Sequence, residues 1–220
     1  MTMRKTYLAV AVAATTIMGA SALHAETFDA TGAVQTTLAV TAVTTLDLGT
    51  LSATVTGASL ADGVGALVIA PDGAITDPTD SASVNLVNLG TPTPGQGSVD
   101  MINDFTLKFP VTTTIAATDF AANAGSGIGN IVTAGVELAH ESGDTTVPSL
   151  YLMHFTTSAE SGGTIAGDTN NDGEFDVTQA FGETTFVFNI GATVTTKPTA
   201  AAADYQEGNY VGTFEVTAEY

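Results

Sequence analysis

YVGTFEVTAEY, Tyr210–Tyr220, alternates without a break. Tyr210, Gly212, Phe214, Val216, Ala218 and Tyr220 fall on one face of an extended chain, and Val211, Thr213, Glu215, Thr217 and Glu219 on the other. Successive side chains of a β-strand point to opposite faces, so this period of two predicts a half-buried strand with one face built for a core. An edge of that length and apolarity recruits other chains unless lysine, proline or a bulge guards it. The stretch holds neither lysine nor proline. Its backbone needs a companion, either another strand of the same chain or one from a different molecule.

The same period recurs upstream. Phe28, Ala30, Gly32, Val34, Thr36 and Leu38 share one face, with Asp29, Thr31, Ala33, Gln35 and Thr37 on the other. Further runs rich in β-branched and aromatic residues start at Leu46, Gly65, Ser83, Met101, Ile131, Ser149 and Thr184. Clusters such as APDGAITDPTD and GTPTPGQG separate them and predict turns, because glycine reaches positive φ and proline presets φ without donating a hydrogen bond. About ten strands, each with one face to hide, predict an all-β chain, a single antiparallel β-sandwich of immunoglobulin type.

The first residues predict an export signal: Arg4 and Lys5, an apolar stretch from Leu8 to Ala20, and small residues up to Ala25, where cleavage is expected. Ala20-Ser21-Ala22 offers an earlier cleavage point. The apolar run is short for a membrane span and contains Thr15, Thr16 and Gly19. The expected organisation is a signal peptide over residues 1–25 and one β-sandwich domain over 26–220. Export would carry the chain through the inner membrane to the periplasm, then to the outer cell surface or the medium. Without the signal, Lys108 and Lys197 stand against 23 carboxylates, a formal charge of −21. That field excludes nucleic acid as a partner. Such repulsion reaches about 10 Å at 0.1 M salt and is quenched in brine. Cysteine is absent although export leads to a compartment where disulfides form, so stability must come from burial, strand pairing or bound ions.

DTNNDGEFD, Asp168–Asp176, has the spacing of a calcium loop. Asp168, Asn170, Asp172 and Asp176 would present side-chain oxygens and Glu174 its carbonyl, with Gly173 at the bend. Position twelve is Gln179, where a helix-flanked calcium loop carries a bidentate glutamate, and no helical pattern flanks the segment. An acidic turn without an ion fits the Asn-Asp-Gly composition equally well, so Ca2+ is the one cofactor considered. A zinc site needs three or four converging ligands, and His140 and His154 have no cysteine beside them, while Glu137 and Glu141 share a strand face that His140 does not, so a histidine-based metal site is not expected. GSGIGN, residues 125–130, lacks the spacing and the following helix of a phosphate loop. No nucleophile elbow or Ser/His/Asp order is present, so a catalytic site is not expected and the chain reads as a non-enzyme.

LAVTAVTTLDLGTLSA (Leu38–Ala53), APDGAI (Ala70–Ile75) and GNYVGTFEVTAEY (Gly208–Tyr220) together resemble the bacterial domain of unknown function 4402 family. That family carries a strand followed by L-x-[FL]-G and ends on Y-x-G-x-F-x-V-x-x-x-Y, and it is similar to pilin-type β-sandwich subunits. The resemblance implies a structural subunit of a surface appendage or matrix, assembled by strand exchange with copies of itself or related subunits, with a periplasmic chaperone and usher as helpers. Phe28, Ala30, Gly32 and Val34 would form the donated strand, beside an acceptor made of Tyr210, Gly212, Phe214, Val216, Ala218 and Tyr220. The absence of the cysteine pair common in pilins departs from that pattern. A monomeric exported β-sandwich, stabilised by calcium and binding a surface or a glycan, is the alternative.

Overall fold

The computed structural model describes residues 12–13, 26–27, 37–55, 65–76, 84–110, 135–168, 172–197 and 204–220. The chain divides into two compact units, Met1–Thr36 and Thr37–Tyr220. In the first, β1 (Val12–Ala13) pairs antiparallel with β2 (Glu26–Thr27). Phe28, Ala30, Gly32 and Val34, the expected donor residues, lie outside the described residues.

The second unit is all-β and antiparallel, with more and shorter strands than the sequence predicts. They are β3 (Thr37–Leu38), β4 (Val40–Thr44), β5 (Leu51–Val55), β6 (Ala66–Ile69), β7 (Ile75–Thr76), β8 (Val84–Asn88), β9 (Gly95–Asp100) and β10 (Phe105–Lys108). There follow β11 (Val136–His140), β12 (Leu150–Ser161), β13 (Gly163–Ile165), β14 (Glu174–Gln179), β15 (Thr185–Thr195), β16 (Tyr210–Val211) and β17 (Thr217–Glu219). A five-stranded sheet runs β13-β14-β10-β17-β3. A larger sheet runs β16-β11-β12-β15-β6-β7, with β9 also on β15 and β4 on β9. Strands β5 and β8 pair with each other, and Asp47 bridges Thr93 just beyond them. Among the described residues no helix is long and apolar enough to cross a membrane.

Aromatic residues join the two main sheets. Phe186 and Phe188 alternate inward on β15 and are fully buried. Phe105 of the five-stranded sheet meets Phe186 edge-on at 5.8 Å, and Phe109 meets Phe188 at 6.4 Å and Phe175 at 5.3 Å. Rings at these separations and angles gain about 0.5–1.5 kcal/mol each beyond their burial.

Two local expectations change. GTPTPGQG, predicted as a turn throughout, contains the start of β9 at Gly95. Packing is the reason: a Cβ on buried Gly97 would lie 2.5 Å from the Phe188 ring, so glycine here makes room for an aromatic side chain instead of ending the strand. His154, expected to be an outward residue of a regular strand, sits half-buried with φ of 44° where the β12–β15 register shifts between Met153 and Thr156. A bulge re-aims the chain there, at the cost of a left-handed conformation that non-glycine residues rarely adopt.

Candidate functional site: a groove beside the terminal strand

The stretch 210–220 does not form one strand. Tyr210 and Val211 pair with β11, opposite His140 and Ala139. Thr217–Glu219 pair with β10 in the other sheet, and residues 212–216 between them belong to no strand. The segment thus crosses from sheet to sheet. Gly212 permits the crossing, because its backbone lies against the Glu137 carbonyl, where a side chain would not fit. Phe214 then packs against Phe155, ring centroids 4.7 Å apart. The predicted inward face is kept by Phe214, Val216 and Ala218, which pack on the core, whereas Gly212 and Tyr220 are exposed.

Over Thr217–Glu219 the chain itself supplies both neighbours. β10 lies on one side and β3 on the other, with Ala218 opposite Leu38 and Glu219 opposite Thr37. Of the expected acceptor residues, Ala218 is thus flanked on both sides by strands of its own chain. Lys108 fastens the arrangement: its Nζ lies 2.9 Å from Glu174 on β14 and also contacts Glu219 on β17. The hydrogen bond to Glu219, then that to Glu174, holds the Lys108 pKa above the ordinary lysine value.

The pairing of β3 with β17 does not continue. In the same register Val40, Ala42 and Thr44 would face Val216, Phe214 and Gly212. Instead β4 turns to the other sheet, with Val40 opposite Val99 on β9. At this fork a groove of about 470 Å³ opens. Phe188, Ile190 and Gly97 contribute to its lining, residues 212–216 form one wall, and β4 with Thr45 and Leu46 forms the other. Among the described residues, 212–216 join no ladder and β4 pairs with β9 alone. Glu215 is the sole charged residue among those lining the groove, in a chain with 23 carboxylates. Such a slot suits an extended apolar peptide, which would bond to the walls through its backbone and bury alternate side chains.

The acidic loop is only partly described. Asn170 lies outside the described residues. Asp168 accepts hydrogen bonds from the backbone amides of Asp172 (3.2 Å) and Gly173 (2.8 Å), and Asp172 accepts one from Glu174 (3.0 Å). Glu174 and Asp176 belong to β14, where Glu174 meets Lys108 and Asp176 accepts from the Thr106 hydroxyl at 3.1 Å. Among the described residues no three His, Cys, Asp or Glu side chains converge on one point.

His140 is buried against Tyr210, ring centroids 5.1 Å apart, with Nδ1 2.7 Å from the Ser142 hydroxyl and Nε2 3.3 Å from the Glu207 carbonyl. It acts as a packing residue under β16. Beside it, hydrogen bonds from the Asn209 side chain and then its backbone hold the Glu141 pKa below the ordinary glutamate value. Thr146, through its backbone amide and then its hydroxyl, does the same for Asp144.

The sequence shows Gly212, Phe214 and Val216 as part of one alternating stretch but does not connect them with β4, Gly97, Phe188 or Ile190. The available signal was a small-residue G-Q-G run that could lie opposite the large alternating residues of TTFVFNIG. Compared with family models, curated proteins and solved structures, the chain matches none of them.

Proposed function

We propose that the chain is a non-enzymatic structural subunit of a bacterial surface appendage or matrix, an exported β-sandwich of pilin type that joins its neighbours by strand exchange. The observation that carries this reading is the groove at the fork between β4 and residues 212–216, whose walls, among the described residues, have no strand between them and enclose an almost uncharged interior. The resemblance of Leu38–Ala53 and Gly208–Tyr220 to the domain of unknown function 4402 family is in keeping with it, and those stretches contain both groove walls. Because β3 already covers β17, the exchange is confined to the open wall, and a five-residue donor spans it at roughly 3.3 Å per residue. A five-residue stretch of a second molecule, residues 28–32 or 30–34, fits the slot, and its Phe28 or its Val34 would contribute roughly 1.5–3 kcal/mol when fully buried. Backbone bonds add about 0.5–1.5 kcal/mol apiece. Contacts of this head-to-tail kind do not close, so chains grow linearly. Boil-sensitive ladders on a denaturing gel are the expected result for the mature protein, and deleting residues 26–34 abolishes them. A mature chain that stays monomeric at every concentration contradicts the proposal.

One observation favours a second reading. The chain's own β3 completes β17, as it would in a self-sufficient exported monomer that binds a surface or a glycan, with Ca2+ held by Asp168, Asn170, Asp172, Asp176 and the Glu174 carbonyl. Under this reading the melting temperature falls when a chelator is added and recovers with calcium; an unchanged melting curve removes the ion from the account.

A further inference from the structure

Phe181 is the exception among the described phenylalanines. Six are buried and Phe214 is half-buried, whereas Phe181 is 107% exposed. It occupies the second position of a tight turn, Ala180–Glu183, closed by the Glu183 amide on the Ala180 carbonyl at 3.1 Å. Gly182, with φ of 87°, takes the third position, as a type II turn requires. The turn needs that glycine but makes no demand for an aromatic residue before it.

Beside the ring lies an open, shallow recess of about 410 Å³, lined by half-buried Gln179 and by exposed Asn103, Asp104, Ala180, Phe181 and Gly182. Two connections build it, 101–104 between β9 and β10 and 180–184 between β14 and β15, both passing from one sheet to the other. They are held in place by the Gln179 amide on Asp104 Oδ1 at 2.8 Å, the Met101 amide on the Thr184 carbonyl at 2.8 Å, and the Ala180 amide on the Gly162 carbonyl at 3.0 Å. The recess therefore stands ready without a partner.

Its chemistry narrows the ligand. No lysine or arginine lines it and the chain is strongly acidic, so phosphate, sulfate and uronate groups are disfavoured. A single carboxylate does not make a cation site, and apart from Phe181 and Ala180 the lining offers no apolar surface for an acyl chain. What remains is one aromatic face beside the Asn103 carboxamide, the Asp104 carboxylate and the side-chain oxygen of Gln179, whose NH2 already donates to the Glu183 carbonyl; these groups bond to neighbouring hydroxyls as donors and acceptors. The negative face of the ring attracts the polarised C–H groups of a pyranose. We propose that this recess binds a neutral sugar unit, with Phe181 stacking on the ring and Asn103, Asp104 and Gln179 holding its hydroxyls. The site shares no residue with the groove. It deepens the second reading above by giving glycan binding a place, and it rests on that reading, yet it is tested on the monomer and so stands or falls apart from strand exchange.

The test is an amide-shift titration of the monomeric fraction of the isotope-labelled mature chain, with cellobiose and N,N′-diacetylchitobiose, alongside native gels containing hydroxyethylcellulose or glucomannan. Shifts confined to residues 103–104 and 179–182, with retardation by at least one polymer, are expected. Phe181→Ala, at a fully exposed position, should keep its melting temperature and lose at least tenfold in affinity, with recovery in Phe181→Trp. Failure of all four probes overturns the proposal, as does undiminished binding by Phe181→Ala. It is also overturned if Phe181→Ala changes only the sedimentation of the protein, which would make the ring a contact between copies of the chain.

Discussion

Gly97 and Lys108 show how single side chains position the groove. A methyl group at Gly97 has no room beneath the Phe188 ring, itself fixed against Phe109 and Phe186, so Gly97→Ala should destabilise the fold by about 1–3 kcal/mol, read from the urea midpoint. A change well under 0.5 kcal/mol would show that the ring can move aside. Lys108 is half-exposed, and ion pairs of that kind are weak and screened by salt. Lys108→Met should lower the melting temperature slightly in dilute buffer, and the difference from wild type should shrink in 1 M NaCl. Its raised pKa makes this contribution complete below the ordinary lysine value and lost only as pH climbs through the higher folded value, so neutral pH is the place to measure it. At this scale the sequence was informative where polarity alternates, as at Phe214, Val216 and Ala218. It was silent where a glycine's role depends on a ring more than ninety positions away, as at Gly97.

The strands divide by what decides them. β15 and the ends of 210–220 were legible because polarity alternates along them, as at Phe186 and Phe188, and β12 because it opens on a continuous apolar run. β9 and β14 were not: one begins in a glycine–proline cluster, and the alternation of EFDVTQ in the other overlaps the end of a calcium-loop spacing. In the broken terminal strand, tertiary packing of Phe214 on Phe155 and of Gly212 on β11 overrides a continuous alternation. The short β16 is the weakest part of that strand, held by two register pairs and by Asn209 on Glu141. The folded pKa of Glu141 lies below its ordinary value, so its contribution is full above that value and is lost as pH falls through the folded one. Acidification should therefore release the Asn209 amide, which donates to Glu141, before the β12 amides. Hydrogen exchange at pH 3 and pH 6 reads this, and equal protection of Asn209 at both would contradict it.

The molecule as a whole carries a formal charge of −21 after loss of the expected signal, and like subunits repel. The account places their joint in a slot lined by one carboxylate, so repulsion between approaching subunits should slow assembly without weakening the finished contact much. Ladder growth should thus be faster in 1 M than in 0.05 M NaCl, with little change in the heat needed to break the ladders; growth that slows with salt would argue against this division. The central claim is that the wall formed by residues 212–216 waits for a strand. The most direct measurement is residue-resolved hydrogen exchange of Thr213–Val216 in the isolated subunit and in the assembled state. Fast exchange in the subunit and strong protection after assembly, with Thr217–Glu219 protected in both, is the predicted result. Protection of Thr213–Val216 already present in the isolated subunit, or no gain on assembly, would contradict the account.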